Sequence, residues 1–286
     1  MPARIIDGKA LASAHREDVA REALRSGSAG RPVRLDAVLC DTGDGGARLY
    51  ARNQARTCAD LGIEYRLHEL PGAAGYDEVA GRVLLLSSDP GVRAIMVHVP
   101  LPEGIDPFRV QRLIAPEKDV EGVNPANIGN IVYDHSSLVP CTALAVLRMV
   151  ESTGLVLRGK RAVVVGASNV VGKPIAVLLM RHDATVISCN KWTTGLDDLT
   201  RSADVLVAAA GVPGLIRPEM VKPGAVVVDV GVNRVTREDG TRATVGDVDF
   251  EGVRGVAGWI SPVPGGVGPM TVAMLLRNVV DAAGSH

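Results

Sequence analysis

The alternation of short apolar runs with longer amphipathic stretches, which continues along most of the 286-residue chain, is the feature that most constrains its fold. Runs rich in Val, Leu and Ile that are apolar throughout are typical of strands buried on both faces of a parallel sheet. The longer stretches carry apolar residues three and four positions apart, which is typical of helices that cover such a sheet. The alternation therefore predicts an α/β fold.

Individual elements can be assigned from this alternation. Buried strands are predicted at residues 35–40, 64–70, 94–100, 162–166, 185–189, 205–210 and 225–230. Helices are predicted at residues 47–61, 76–87, 142–153, 171–182 and 269–283. This order predicts two α/β lobes, the first over residues 1–145 and completed by a C-terminal helix within 269–286, and the second over residues 146–268. A cleft between two lobes is a common ligand site.

The charge of the chain excludes several classes of partner. Its 31 Lys and Arg residues nearly balance its 32 Asp and Glu residues, and the sequence has no block of like charges. Nucleic acid or a membrane surface would need a strongly basic patch, so neither is expected as a partner. The sequence also lacks an apolar run of about 18 residues, which a membrane span would require. The classes of partner that stay possible are small molecules and other proteins.

The four cysteines of the chain are Cys40, Cys58, Cys141 and Cys189. They are far apart and form no C-x-x-C pair, so the sequence suggests neither a zinc knuckle nor a disulfide framework. The first nine residues lack the apolar stretch of a secretion signal. We therefore expect a protein of the reducing cytoplasm. No metal is expected either, because no His, Cys, Asp and Glu cluster with ligand spacing is visible in the sequence.

A glycine turn in residues 163–174 indicates a nucleotide site. The segment reads as a strand that ends in Gly166, a turn, and a helix that opens at Gly172. Such a turn lets backbone N–H groups and the helix N-terminus approach a phosphate. The motif is Gly-x-Ser-x-x-x-Gly rather than Gly-x-Gly-x-x-Gly, so an ordinary strand, turn and helix without a ligand is the alternative.

The end of the following predicted strand bears on the choice of cofactor. An acidic residue there usually binds the adenosine ribose when NAD is preferred. Here the chain continues as Asn190-Lys191-Trp192, with no carboxylate and with one cation. The positive charge of Lys191 favours a 2′-phosphate and hence NADP, although NAD stays possible, because surface lysines are often merely solvated.

Several separated segments carry a resemblance to a known family. They are residues 43–50 (Gly-Asp-Gly-Gly-Ala-Arg-Leu-Tyr), 97–102 (Val-His-Val-Pro-Leu-Pro), 116–122 (Pro-Glu-Lys-Asp-Val-Glu-Gly), 140–142 (Pro-Cys-Thr), 165–168 (Val-Gly-Ala-Ser), 245–248 (Val-Gly-Asp-Val) and 262–275 (Pro-Val-Pro-Gly-Gly-Val-Gly-Pro-Met-Thr-Val-Ala-Met-Leu). In this order they resemble the methylenetetrahydrofolate dehydrogenase/cyclohydrolase family, often called FolD. The resemblance spans nearly the whole chain.

This resemblance implies a homodimer of two-lobed subunits. Each subunit binds NAD(P) on the second lobe, a Rossmann-type dinucleotide-binding domain over residues 146–268, and folate in the cleft. It implies hydride transfer from 5,10-methylenetetrahydrofolate to the nicotinamide, which yields 5,10-methenyltetrahydrofolate. Many members then hydrolyse that product to 10-formyltetrahydrofolate in the same site.

Tyr50 and Gln54 stand where the family has a Tyr-x-x-x-Lys motif. Residues four apart share one face of a helix, so both side chains are expected to point into the site. Tyr50 is similar to the residue that packs on the aminobenzoyl ring of the folate, although core packing is the alternative. Gln54 replaces a lysine, and an amide cannot titrate. We therefore expect a weak or absent cyclohydrolase step, while the hydride step, which depends mainly on orientation, survives.

His98 and Glu121 are further departures from the family pattern. His98 replaces a glutamine, so it either supplies a new titratable group or fills space and hydrogen-bonds Gln54. Glu121 replaces an aspartate that grips the pterin, which keeps the carboxylate but shifts the ring. At residues 123–124, Val-Asn replaces an aromatic-His pair, which is expected to widen the site.

The remaining site residues are carried over from the resemblance. The cofactor contacts implied are Gly166, Ala167, Ser168, Lys191 and Val232. Ala167 takes the place of an arginine that commonly holds the 2′-phosphate, which weakens the argument for NADP. The substrate contacts implied, beside Tyr50, His98 and Glu121, are Pro100, Pro262, Gly265 and Gly266. For this last glycine block, a plain turn before the C-terminal helix is the alternative.

Two other functions stay open. The chain could be a paralogue that acts on a different pterin or one-carbon adduct, which the changes at positions 54, 98 and 121 would allow. It could also be a non-catalytic subunit that binds folate or nucleotide and regulates a partner. Assays with methylenetetrahydrofolate and each nicotinamide nucleotide distinguish these functions.

Overall fold

The computed structural model describes residues 2–30, 32–43, 45–135, 138–236 and 240–284. Its strands are β1 (Arg4–Ile5), β2 (Arg34–Asp41), β3 (Glu64–Pro71), β4 (Ile95–Val97), β5 (Arg161–Val165), β6 (Thr185–Cys189), β7 (Val205–Ala208), β8 (Val226–Asp229), β9 (Asn233–Thr236), β10 (Arg242–Val245) and β11 (Trp259–Ile260). Its helices are α1 (Gly8–Ser28), α2 (Gly45–Asp60), α3 (Tyr76–Ser88), α4 (Pro107–Gln111), α5 (Pro125–Val132), α6 (Cys141–Glu151), α7 (Gly172–Arg181), α8 (Leu196–Arg201), α9 (Phe250–Arg254) and α10 (Val267–Gly284). Asp44 of the 43–50 motif and residues 285–286 of the predicted C-terminal segment lie outside the described residues.

The chain divides into two compact units. One consists of Met1–Ser13 and Thr142–Met274, and the other of Ala14–Cys141 and Leu275–His286. Residues 1–13, which the sequence assigned to the first domain, join the later unit because β1 pairs in parallel with β11.

The unit that contains Thr142–Met274 is built on a six-stranded sheet in the order β1-β11-β8-β7-β5-β6. All of its strand pairs are parallel. Its central strands β5, β7 and β8 are apolar and almost wholly buried, because helices and loops cover both faces. Strands β9 and β10 form a separate antiparallel pair. The α/β class and the parallel arrangement that the alternation predicted are confirmed.

The unit that contains Ala14–Cys141 has a three-stranded parallel sheet in the order β3-β2-β4. Strand β2 lies in the middle and is buried along most of its length. A hydrophobic cluster packs β2 and β4 against α3, with Val79, Val83 and Ile95 fully buried. This sheet fixes the positions of the segments that follow β2 and β4, on which Tyr50, Gln54, His98 and Pro100 lie.

The predicted elements are all present, with small differences at their ends. The largest is β4, which ends at Val97, whereas the sequence predicted a strand to residue 100. Pro100 has no N–H to donate to a neighbouring strand, which favours an end to pairing before it. Among the described residues, no helix is long and apolar enough to cross a membrane.

Candidate functional site

Tyr50 and His98 form the centre of one group of candidate residues. Tyr50 lies on α2 and is 45% exposed, whereas His98 follows β4 and is only 3% exposed. The two rings meet edge to face, with centroids 5.9 Å apart and planes at 80°. An exposed tyrosine ring supported on one side by a buried imidazole offers a flat apolar surface to a ligand.

His98 is held by two hydrogen bonds to the sheet. Its backbone N–H donates to the carbonyl oxygen of Val38 at 2.8 Å, and its Nε2 lies 2.9 Å from the hydroxyl of Tyr65 on β3. Burial lowers the pKa of the imidazole to about 4, so the ring is neutral at pH 7. The hydrogen bond to Gln54, one of the two alternatives for His98, is not formed: Nε2 pairs with Tyr65, and the Gln54 amide has no partner among the described residues. Tyr65 was not identified from the sequence, since only the tertiary structure brings β3 and the end of β4 together.

Gln54 carries a buried amide that has no hydrogen-bond partner in the part of the chain that the structure describes. The side chain is 3% exposed and lies on the buried face of α2, with Ala51 and Cys58. Neither its Oε1 nor its Nε2 has a hydrogen-bond partner among the described residues. A buried polar group left in this state costs about 1–3 kcal/mol, so a partner such as a water or a ligand is normally expected. The helix places Gln54 one turn beyond Tyr50.

Glu121 is held in a tight backbone arrangement. The next residue, Gly122, has φ +69°, and a Cβ there would lie 2.5 Å from the backbone nitrogen of Pro140. Only glycine permits this approach, which sets the half-buried Glu121 side chain beside β4. Its Oε2 accepts a hydrogen bond from the backbone N–H of Val97 at 3.4 Å.

The pKa of Glu121 is raised to about 7. Burial is the main cause, the negative charge of Asp119 adds to it, and the Val97 N–H opposes it. Burial and the nearby Glu121 and Cys141 also raise the pKa of the Tyr50 phenol, which places these side chains within electrostatic range of one another. Tyr50, His98 and Glu121 are therefore brought together by the structure.

Buried amides around Asp119 support this arrangement, and two of them, Asn127 and Asn278, were not identified from the sequence. Oδ2 of Asp119 accepts from the backbone N–H of Asn124 at 2.7 Å and from the amide of Asn127 at 3.0 Å. Asn124, expected to widen the ligand site, instead caps α5 by accepting the N–H of Ala126. The amide of Asn278 donates to the carbonyl oxygens of residues 120 and 139, both at 2.9 Å. The available signal was the position of Asn278 between Leu276 and Val279 in the largely apolar helix α10.

Gly166 and Gly172 lie at the carboxyl edge of the six-stranded sheet. Gly166 has φ +112°, and a Cβ there would overlap the carbonyl oxygen of Ala209, which follows β7. A Cβ on Gly172 would overlap the carbonyl oxygen of Gly166. β5 lies between β6 and β7, so the order of connections reverses here, which is where ligands bind in open α/β sheets. The two glycines leave a bare backbone that a phosphate can approach.

The other candidate cofactor contacts lie in this turn and on the loops that follow β6 and β8. The hydroxyl of Ser168 accepts a hydrogen bond from the Gly172 N–H at 3.3 Å, and Ala167 is half-buried between the two glycines. Lys191 is exposed just after β6, and its ammonium lies 4.9 Å from the centroid of the exposed Trp192 ring. Val232 is exposed as well. A bare glycine turn with a nearby exposed cation fits a dinucleotide that carries an extra phosphate.

Two buried carboxylates behind this edge were not identified from the sequence. Oδ2 of Asp247 accepts the backbone N–H groups of Ala210 at 2.6 Å and Gly211 at 2.8 Å. Its Oδ1 accepts from the amide of Asn233 at 2.9 Å. Asp229, at the end of β8, has a pKa raised to about 6, mainly by burial. The 245–248 motif therefore fixes the loops that follow β7 and β8.

The glycine block at residues 262–266 opens helix α10. Gly265 has φ +109°, and the carbonyl oxygen of Gly266 lies where a Cβ on Gly8 would be. Pro262, Gly265 and Gly266 belong to the unit of Thr142–Met274, whereas Pro100 is exposed in the unit of Ala14–Cys141. Within the part of the chain that the structure describes, no three His, Cys, Asp or Glu side chains are grouped so as to hold a metal ion.

A parallel sheet with a glycine turn at its switch point places the chain among the α/β proteins that bind dinucleotides. Family comparison makes this specific: residues 6–121 match the catalytic domain of tetrahydrofolate dehydrogenase/cyclohydrolase, and residues 140–286 match its NAD(P)-binding domain. The chain belongs to the tetrahydrofolate dehydrogenase/cyclohydrolase family.

Individual relatives are similar to this protein over nearly the whole chain. The bifunctional protein FolD of Moorella thermoacetica is 46% identical over 283 residues, which cover 99% of each protein. The crystal structure of the bifunctional FolD enzyme of Campylobacter jejuni is 38% identical, with a TM-score of 0.93 and 98% of each chain covered. The Trypanosoma brucei methylenetetrahydrofolate dehydrogenase-cyclohydrolase, solved with NADP and an inhibitor, is 36% identical, with a TM-score of 0.90 and 99% of this chain and 98% of that chain covered.

Proposed function

We propose that this chain is an NADP-dependent 5,10-methylenetetrahydrofolate dehydrogenase whose methenyltetrahydrofolate cyclohydrolase activity is weak or absent. The observation that carries the proposal is the group of Tyr50, His98 and Glu121 beside a buried Gln54 amide that cannot titrate. The full-length match to bifunctional relatives supports the first activity. The side chains at positions 54 and 98 argue against the second.

The unit of Ala14–Cys141 carries the proposed substrate contacts Tyr50, His98, Pro100 and Glu121. The exposed face of Tyr50 packs against the aminobenzoyl ring, and Glu121 accepts N–H groups of the pterin. Because N–H donors favour the ionised carboxylate, binding of the pterin lowers the pKa of Glu121 from its raised value. Pro100, Pro262, Gly265 and Gly266 are assigned to the remaining substrate contacts.

Cofactor binding is assigned to the turn after β5. Gly166, Ala167 and Ser168 offer bare or small residues to the pyrophosphate, Lys191 neutralises the 2′-phosphate, and Val232 packs on the nucleotide. Bound NADP supplies the hydride acceptor. The bare turn and the exposed Lys191 support this choice, as does the NADP found in the T. brucei relative. NAD stays the alternative, because Ala167 brings no charge to hold a 2′-phosphate.

Hydrolysis of the methenyl product needs a group that moves a proton to or from water. The Gln54 amide does not titrate, and His98, with a pKa of about 4, is far from the value that suits an acid or base at pH 7. Placed acids and bases contribute about 10²–10⁴-fold, so their loss leaves hydrolysis slow. The hydride step depends on orientation and is retained.

Absorbance assays of the purified chain test this proposal. We expect NADP-dependent formation of 5,10-methenyltetrahydrofolate, and conversion of that product to 10-formyltetrahydrofolate no faster than in buffer. Brisk formation of 10-formyl product would contradict the loss of hydrolysis, and no methenyl product with either nucleotide would contradict the dehydrogenase. A homodimer in the reducing cytoplasm is part of the same proposal, and four buried free thiols are consistent with that compartment.

A further inference from the structure

We propose that Tyr65 is a positioning residue for His98, whose imidazole it fixes in the tautomer that carries the proton on Nδ1. His98 then offers a single N–H donor to an acceptor atom of the bound folate. This inference rests on the proposed function for the identity of the ligand, but the tautomer can be measured without any activity.

The position of Tyr65 in the sheet makes the contact possible. Tyr65 lies on β3, in register with Leu35 of β2, while His98 follows β4 on the opposite side of β2. The Tyr65 hydroxyl therefore reaches across the central strand to lie 2.9 Å from Nε2. The Val38 carbonyl accepts the backbone N–H of His98, so hydrogen bonds hold both the backbone and the ring of this residue.

We assign the direction of this hydrogen bond from Tyr65 to His98. Burial, with the nearby Cys58 and Tyr50, raises the pKa of the Tyr65 phenol, so its hydroxyl keeps its proton at pH 7. The neutral imidazole has one N–H and one bare nitrogen. A half-buried hydroxyl needs an acceptor, and Nε2 is the one that the described residues provide. If Tyr65 donates to Nε2, the imidazole proton must lie on Nδ1.

The consequence concerns what this site can bind. A glutamine, which the family resemblance places at position 98, presents both a donor and an acceptor, whereas a fixed imidazole presents only its Nδ1–H. Among the described residues Nδ1 has no hydrogen-bond partner of its own. The imidazole also supports the edge of Tyr50. Tyr65 thus determines which substrate atoms are accepted beside the Tyr50 ring without touching the substrate itself.

The test combines the Tyr65→Phe, His98→Gln and double variants with nitrogen-15 NMR of the imidazole. The His98 signals are those lost in His98→Gln. We expect the wild-type protein to show a protonated Nδ1 and a bare Nε2, and Tyr65→Phe to show a mixture of tautomers. A lost hydrogen bond of about 1–1.5 kcal/mol corresponds to a fall of about 5–12-fold in kcat/KM for methylenetetrahydrofolate, with the KM for NADP unchanged.

The double variant separates positioning from a merely structural effect. Adding Tyr65→Phe to His98→Gln should cause no further fall in kcat/KM, because the contact it removes is already gone. Tyr133→Phe, at an exposed tyrosine, is the matched control and should behave as wild type. The proposal is overturned if wild-type His98 carries its proton on Nε2, or if Tyr65→Phe costs the same in both backgrounds. A wild-type chain without dehydrogenase activity would instead refute the proposed function, while the NMR result still decides the tautomer.

Discussion

The carboxylate of Asp229 accepts a hydrogen bond of 2.9 Å from the backbone N–H of Asp247, which joins the end of β8 to the segment after β10. Asp229 also accepts the N–H groups of Gly231 and Val248, so its charge is shared among three backbone donors. A Cβ on Gly246 would overlap this carboxylate. The pair therefore fixes the loops at the edge of the sheet to which the cofactor is assigned.

Replacing Asp247 with alanine should weaken both the fold and cofactor binding. The change leaves the N–H groups of Ala210 and Gly211 and the amide of Asn233 without their acceptor. We expect the free energy of unfolding to fall by about 2–4 kcal/mol, measured in urea. The KM for NADP should rise more than the KM for folate. Glu251→Ala, at an exposed carboxylate, is the control, and equal changes in both KM values for Asp247→Ala would contradict the assignment.

Binding of folate should depend on pH through Glu121. Because the pKa of this carboxyl in the free protein is about 7, protons compete with the pterin below that pH. We expect the KM for methylenetetrahydrofolate to rise as pH falls from 8 to about 6, by up to about tenfold for one proton. In Glu121→Gln the KM should be higher and nearly independent of pH. Glu117→Gln, at an exposed glutamate, should keep the wild-type profile.

The same carboxyl should lower the stability of the free protein as pH rises. Its folded pKa of about 7 exceeds the ordinary value of 4.5, so the folded state binds the proton more tightly than the unfolded state. Its contribution to stability is therefore lost progressively between pH 4.5 and 7. We expect the Tm of Glu121→Gln, relative to wild type, to increase from pH 5 to pH 8. A difference in Tm that does not change with pH would show that folding does not raise the pKa of Glu121.

Gln54→Lys should restore hydrolysis. At a position that is 3% exposed, burial lowers the pKa of an introduced amine toward neutrality, where it can exchange protons with water. We expect formation of 10-formyltetrahydrofolate at about 10²-fold or more above the wild-type rate. Gln54→Met, which has similar length and no amide, is the matched control and should not hydrolyse. If a folded Gln54→Lys protein remains inactive, position 54 alone does not account for the weak activity.

The exposed Lys191 should distinguish NADP from NAD. Loss of its ammonium in Lys191→Ala should raise the KM for NADP by about tenfold, as expected for one exposed charge near a phosphate, and leave the KM for NAD unchanged. Ala167→Arg should lower the KM for NADP, because it adds a positive charge near the 2′-phosphate. The KM for NAD in each variant is the internal control. An unchanged NADP preference in Lys191→Ala would remove this residue from the cofactor site.

Much of the fold follows from local sequence patterns. The buried strands and the helices α2, α3, α6, α7 and α10 were predicted because their apolar periodicity is strong over a whole element. Helix α1 was not, because its buried face consists of Ala12, Val19 and Ala23, which give little periodic signal. Asp7, whose carboxylate accepts the N–H groups of Lys9 and Ala10, was the available sign of its beginning. Strands β1 and β11, of two residues each, exist only through pairing.

The sequence by itself determined the alternating α/β pattern, the glycines that admit close backbone approach, and the chemical identities at positions 54, 98 and 121. Only the tertiary structure decided the environment of those side chains. It left the Gln54 amide without a partner among the described residues and placed Tyr65 against His98. It also buried Glu121 near Asp119, and the burial and the neighbouring charge raised the pKa of Glu121. The physical reason is that hydrogen bonding, desolvation and charge coupling depend on residues far apart in the chain, and local periodicity carries no information about them.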